Sequence, residues 1–203
     1  MRLLVIGAGG HAKVVIDAAR CAGFDVVGVV DEPRGRRDLL GVTIAESSEG
    51  LDADGFIVAV GDNAARKALF ECYSESELLP IAVIHPSAVI ADGVEIGGGT
   101  LVSAGVVVNI DTRIGANAIL NTSCTIDHDC AVEDHAHIGP MTGLCGGVRV
   151  GEGALIGAGC SVIPLLTIGE WAVVGAGAAV VDEVPSHGCH AGVPARPISS
   201  AGE

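Results

Sequence analysis

The chain has 203 residues, of which 25 are acidic and 11 basic, giving a formal charge of −14 and a pI near 4.7. That balance argues against nucleic acid and anionic membrane surfaces as partners, and no run of 18 or more apolar residues lacks glycine and charge breaks, so no membrane span is expected. Hydrophobic residues make up 49% of the chain but aromatics only 2%, so the core must be filled by small and branched aliphatic side chains.

Leu3–Ile6 reads as a short apolar strand that enters Gly7-Ala8-Gly9-Gly10-His11-Ala12. The apolar run is too short for a signal peptide, and a cytoplasmic protein is expected. A helix over 12–22 follows, ended by Gly23. A strand over 25–30 ends in Asp31-Glu32, a short strand spans 41–45, and another spans 55–60 before Gly61-Asp62-Asn63. A helix over 64–73 and a segment over 78–84 complete this half. Strands alternating with helices predict a small parallel α/β domain over residues 1–81.

The GxGxxA element, with an acid about 20 residues later, fits a dinucleotide-binding fingerprint. A repeat beginning at Ile84 leaves no room for the second mononucleotide half. A Rossmann-like half domain of this size suits a mononucleotide or nucleotide-sugar ligand, with phosphates against the helix N-terminus. The competing reading is that the glycines only make a tight strand-to-helix turn.

From Ile84 the chain reads in sixes, with Ile, Val or Leu leading every hexad through Val180, seventeen in succession. The fifth position of the hexad is small (Ala118, Cys124, Cys130, Ala136), and glycine recurs at the second (Gly97, Gly115, Gly139, Gly157). Neither a 3.6-residue period nor simple alternation sustains such a pattern, which predicts a parallel β-helix with the lead residues inward. The repeat domain is expected over 82–190, with a tail over 191–203. Seven cysteines, an odd number with no CxxC pair, do not form a disulfide framework. Cys124, Cys130 and Cys160 sit where packing wants a small residue.

Chemistry-bearing residues gather at Asp127-His128-Asp129 and His135-Ala136-His137. If three hexads make one coil, positions 18 apart stack, and Gly146 lies over His128. The expectation is open space and a bare backbone N–H beside the imidazole. A histidine titrating near neutrality beside a free amide suits acyl transfer, as general base and oxyanion donor. Asp129 is placed to orient His128 and raise its basicity. The rival is a histidine metal site, as in the β-helical gamma-class carbonic anhydrases. Zinc needs three converging ligands, the spacings here differ from that family's, and that family lacks the N-terminal α/β domain, so no metal is expected.

With both halves in view, VIGAGGHAKVV (5–15), VVD (29–31), VAVGDNAAR (58–66), IHPSAVI (84–90), IDHDC (126–130) and GVPAR (192–196) resemble the sialic acid O-acetyltransferase and UDP-bacillosamine/GDP-perosamine N-acetyltransferase family. The resemblance implies a left-handed β-helix of hexapeptide repeats, acetyl-CoA as co-substrate, and a homotrimer with the site between neighbouring subunits. It implies His128 as catalytic base with Asp129 behind it, and His137 as a cofactor contact. It places Gly9, Gly10, His11, Asp31, Glu32 and Gly61 around a nucleotide sugar. Ala158 and Ala176, 18 apart, would present stacked amides to the pantetheine arm, and Arg196 would meet a CoA phosphate. The implied reaction is N-acetylation of a nucleotide-linked amino sugar, with a UDP-linked 4-amino-4,6-dideoxy sugar as first choice. O-acetylation of a sialic acid and a non-catalytic trimeric nucleotide-sugar-binding scaffold are the alternatives.

Overall fold

The computed structural model describes residues 1–32 and 35–198. The N-terminal part runs β1 (Arg2–Ile6), α1 (Gly10–Cys21), β2 (Asp25–Val30), β3 (Asp38–Leu39), β4 (Val42–Ala45), β5 (Gly55–Val58), α2 (Asn63–Ser74) and β6 (Leu79–Pro80). One sheet forms in the order β3-β4-β2-β1-β5-β6. Its pairings are parallel except β3 with β4. β1 is central and buried from Leu3 onward, which is why it reads as an unbroken aliphatic run rather than an alternating one.

The two helices dock by different chemistry. α1 buries Ala12, Val15, Ile16 and Ala19 on one face, the spacing of an amphipathic helix. α2 starts at Asn63, where the N-cap Asp62 accepts a 2.8 Å hydrogen bond from the Ala65 amide. Its two buried residues are Asn63 and Arg66.

From residue 83 the chain becomes a β-helix of two-residue strands repeating every six positions. Each strand pairs in parallel with the one 18 residues away, as Leu101 does with Val83 and Ile119. Three faces result. The first begins with strands 83–84 and 101–102, the second with 89–90 and 107–108, the third with 95–96 and 113–114. Cys189–Ala191 extends the first face in parallel, and Arg196–Pro197 then pairs with it antiparallel. The lead residues form one continuous core with the small fifth-position residues. The exceptions are the three leads of the first coil: Ile84 is 36% exposed and Ile90 and Ile96 are only partly buried, because no coil lies beneath them.

Two backbone constraints repeat along the stack. A Cβ on Gly157 would lie 2.5 Å from the Ala176 amide nitrogen of the next coil, so the second hexad position must be bare where coils touch. The fourth position turns left-handed: Asp111, Asn117, Ser123, Asp129, His135 and Met141 have φ between 53° and 61°. Asn and Asp tolerate that region better than other side-chain-bearing residues.

The outward residues Val83, Leu101 and Ile119 of the first face are buried in one cluster with α1. Each such side chain contributes about 1.5–3 kcal/mol on leaving water. The α/β part is thereby seated on the lower coils of that face. Ile126→Ala, at a fully buried lead position, is expected to cost about 2–5 kcal/mol in denaturant unfolding. Ile84→Ala should cost less than half as much. Equal losses would show that the stack does not end at Ile84.

Candidate active site

His128 occupies the third hexad position and Asp129 the fourth, on the edge that follows the second face. The left-handed turn at Asp129, φ 60°, folds its carboxylate back on the preceding side chain, and Oδ2 lies 2.7 Å from His128 Nδ1. Adjacent residues on a flat strand would point to opposite sides; the corner brings this pair together. Asp127 is fixed in turn, its Oδ1 accepting from Asn109 Nδ2 and from the His128 amide, both at 2.9 Å. The Asp129 hydrogen bond, then the Asp127 charge, raises the His128 pKa. Asp127 is lowered by the Asn109 and His128 amide hydrogen bonds.

With Nδ1–H donated to Asp129, Nε2 is left to take a proton. The imidazole lies directly over Gly146, where a Cβ would come 2.7 Å from its Cε1. The space expected above the ring is thus filled by the ring itself, and glycine is required to admit it. The Gly146 N–H has no hydrogen-bond partner among the described residues, nor do the Ala158 and Ala176 amides. Ala158 and Ala176 stack as expected, the Gly177 amide donating to the Ala158 carbonyl at 2.8 Å.

A second cluster lies where the α/β part meets the first face. His137 points outward there, with its ring 6.5 Å from that of His11. Asn121 Oδ1 accepts from the Thr122 amide at 2.8 Å, so its Nδ2 is assigned as donor to His137 Nε2 at 3.1 Å. That leaves the proton of His137 on Nδ1, which is buried and unpartnered, as is His11 Nε2. The Gly61 carbonyl favours the protonated ring slightly but falls short of a hydrogen bond to it. Burial, then the Arg66 charge, holds both imidazoles down at about 4, so both are neutral at physiological pH. Each ring thus keeps one buried nitrogen with no hydrogen-bond partner among the described residues, a state that calls for a polar partner.

Beside them, Gly9 caps α1 without a side-chain bond, and a Cβ at Gly9 or Gly10 would meet nothing within 4 Å. The glycines therefore leave the first-turn amides open, as an anion site requires. Asp31 Oδ2 accepts from the Ala8 amide and Oδ1 from the Glu32 amide, both at 2.7 Å. This shapes the glycine loop. Arg196 pairs with Asp182 at 3.0 Å on the surface, an exposed ion pair worth about 0–1 kcal/mol and readily exchanged for a phosphate.

Within one chain these residues fall into two separate groups. His128 and Gly146 stand on the edge after the second face, whereas Ala158 and Ala176 stand on the edge after the first, the face that bears His137. Among the described residues no three His, Cys, Asp or Glu side chains gather to hold a metal ion, and no helix is long and apolar enough to cross a membrane. Arg66, buried beneath Gly61, carries no signal in the sequence beyond its place in VAVGDNAAR. In Asp129→Asn the His128 titration midpoint, followed by NMR of the ring protons, should fall toward the ordinary histidine value. An unmoved midpoint would show that the 2.7 Å contact does not set its basicity.

Residues 2–73 match the family of PglD N-terminal domains. The fold superposes on PerB from Caulobacter crescentus, solved with CoA and GDP-perosamine, with a TM-score of 0.92, 40% identity and 98% of each chain covered. The acetyltransferase domain of PglB from Neisseria gonorrhoeae, solved with acetyl coenzyme A, gives a TM-score of 0.92 and 33% identity over 97% of this chain and 98% of that one. WeeI from Acinetobacter baumannii gives 0.86 and 25% over 98% of this chain and all of that one. The chain belongs to the family of hexapeptide-repeat acyltransferases that includes perosamine N-acetyltransferase and the acetyltransferase domain of PglB.

Proposed function

We propose that the protein transfers an acetyl group from acetyl-CoA to the amine of a nucleotide-linked amino sugar, with His128 as general base. The observation that carries this is the Asp129–His128 pair, with Nε2 free and a bare Gly146 amide beside it. The sugar amine arrives as an ammonium ion and gives one proton to bulk water. The free amine attacks the thioester carbonyl, and Nε2 takes its second proton as the C–N bond forms. The oxyanion collects on backbone amides such as that of Gly146. As the C–S bond breaks, the imidazolium returns the proton to the departing sulfur. A raised His128 pKa places the acid limb of the rate profile above that of an ordinary histidine, since only the neutral ring accepts a proton.

We assign residues 1–81 to a Rossmann-like half domain that holds the nucleotide sugar through Gly9, Gly10, His11, Asp31, Glu32 and Gly61. We further assign residues 82–190 to a left-handed β-helix and 191–203, of which 199–203 lie outside the described residues, to a C-terminal tail. His137, Ala158, Ala176 and Arg196 serve acetyl-CoA. A UDP sugar is the first choice from sequence, but the relatives that hold a nucleotide sugar hold GDP-perosamine, so both nucleotides belong in the test. Seven free thiols, three of them exposed, suit a reducing cytoplasm, and the product fits glycan biosynthesis.

The character of the second face supports a homotrimer. Its outward residues, Val89, Val107, Thr125, Gly143, Ser161 and Ala179, carry no charge, whereas the third face carries Glu95, Arg113 and Arg149. Of the most exposed large apolar side chains, Leu165 at 79%, Met141 at 75% and Val89 at 63% lie on that face or its two edges, while Val193, at 77%, lies in the closing segment. The edge with His128 and the edge with Ala158 and Ala176 flank this same face. Packing it about a threefold axis sets the His128 edge of one chain against the Ala158 edge of the next, uniting the two groups.

His128→Ala should lower kcat about 10²–10⁴-fold with little change in KM for acetyl-CoA. The acceptor is identified by incubating acetyl-CoA with GDP- and UDP-linked 4-amino sugars and locating the acetyl group by NMR. An ester on a hydroxyl, with no turnover of any amino-sugar nucleotide, would overturn the N-acetyl reading. No transfer to any acceptor would leave a binding scaffold. Sedimentation should give three chains, and Ser161→Arg on the second face should lower both assembly and turnover. A fully active monomer would refute the shared site.

A further inference from the structure

The seam between α2 and the β-helix is built from buried polar groups, although α1 shows that this chain can make an apolar one. At its centre Arg66 is 1% exposed. Its guanidinium bonds to carbonyls on both sides of the seam. On the α/β side Nη1 donates to Val60 O at 3.2 Å, Gly61 O at 3.3 Å and Asn63 Oδ1 at 2.8 Å. On the β-helix side Nε donates to Asn117 O at 3.0 Å and Nη2 to His135 O at 2.5 Å. Asn63 Nδ2 continues the seam to Gly153 O at 2.9 Å, and Asn117 Nδ2 returns a bond to Arg66 O at 3.3 Å. Every direct acceptor is neutral. Burial lowers the guanidinium to about 10, which still leaves it charged.

A cation buried among neutral carbonyls is an expensive way to join two surfaces. What a rigid planar fork does, and an aliphatic contact does not, is fix several backbone oxygens at set separations. One of those oxygens belongs to Gly61, whose carbonyl lies near the His137 ring. Another belongs to His135, two residues before His137 on the same chain segment. The remaining contacts lock the fork's own orientation.

We propose that Arg66 is a positioning residue for the acceptor: it holds Gly61 and the α/β part that carries His11 at a fixed distance from the His137 strand. This rests on the nucleotide-sugar reading above, because Gly61 and His11 are assigned to that substrate; His137, assigned to acetyl-CoA, keeps its place on its own paired strand whatever stands at position 66. Arg66 touches neither substrate nor reacting atoms, and the edge bearing His128 lies outside its reach. The proposal therefore separates acceptor binding from thioester chemistry.

The test compares Arg66→Met, Arg66→Lys and Asn63→Ala with the unmodified protein. Arg66→Met should raise KM for the nucleotide sugar about tenfold or more, with kcat and KM for acetyl-CoA within about threefold. Arg66→Lys, which keeps the charge but not the fork, should recover only part. An equal rise in both KM values, or an unchanged KM for the sugar, would overturn it. If neither Arg66 variant folds, Asn63→Ala removes one anchor and should shift the same KM in the same direction by a smaller factor; no shift overturns the proposal. A readout independent of turnover is the cross-relaxation between the His11 and His137 rings in the unliganded protein. Its loss in Arg66→Met or Asn63→Ala supports the proposal, and its persistence in every folded variant overturns it. If the unmodified protein acetylates no nucleotide sugar, the functional reading fails, and the ring contact still decides whether Arg66 sets the separation of His11 and His137.

Discussion

Stacking at an interval of 18 residues is the constraint on which everything else in the β-helix depends. Each two-residue strand bonds to its counterpart one coil above and one below, and no strand is long enough to stand alone. The register cannot slip at one face without displacing the other two. A side chain's position in the hexad therefore decides whether it faces the core, a flat face or an edge. Catalytic geometry is inherited from that assignment: His128 is on an edge, over Gly146, because 128 and 146 share a phase.

The sequence made the core legible because burial has a period. Lead aliphatics and small fifth-position residues recur without interruption, and the structure buries them from Val102 upward. The α/β half was legible for a different reason, since glycines between a strand and an apolar periodic segment imply a tight turn and a helix start. The left-handed fourth position was not read, although Gly93, Gly105 and Gly147 alternate there with Asp111 and Asp129, a pattern that marks positive φ. It explains how Asp129 reaches a neighbour that strand alternation would have turned away from it. Arg66 was invisible because its partners are backbone carbonyls up to 69 residues away, and carbonyls leave no trace in composition.

The two seams that hold the α/β part to the coils divide the work. α1 meets Val83, Leu101 and Ile119 through aliphatic burial, which supplies adhesion and tolerates small shifts. α2 meets the adjoining edge through Arg66, Asn63 and a Lys67–Glu152 pair at 2.5 Å, which supplies direction. The neutral imidazoles of His11 and His137 follow from their burial first and then from the Arg66 charge, which disfavours a second positive charge nearby.

A stack of equivalent coils has no intrinsic length, and each open end offers backbone groups to whatever strand comes next. In this chain the upper end does not stay parallel. After Cys189–Ala191 the backbone reverses at Gly192 and lays Arg196–Pro197 against it antiparallel. An added coil would have to run parallel to its neighbour, and the reversed strand, with a proline that lacks a donor, offers no such template. The reversal thus ends parallel pairing on the first face.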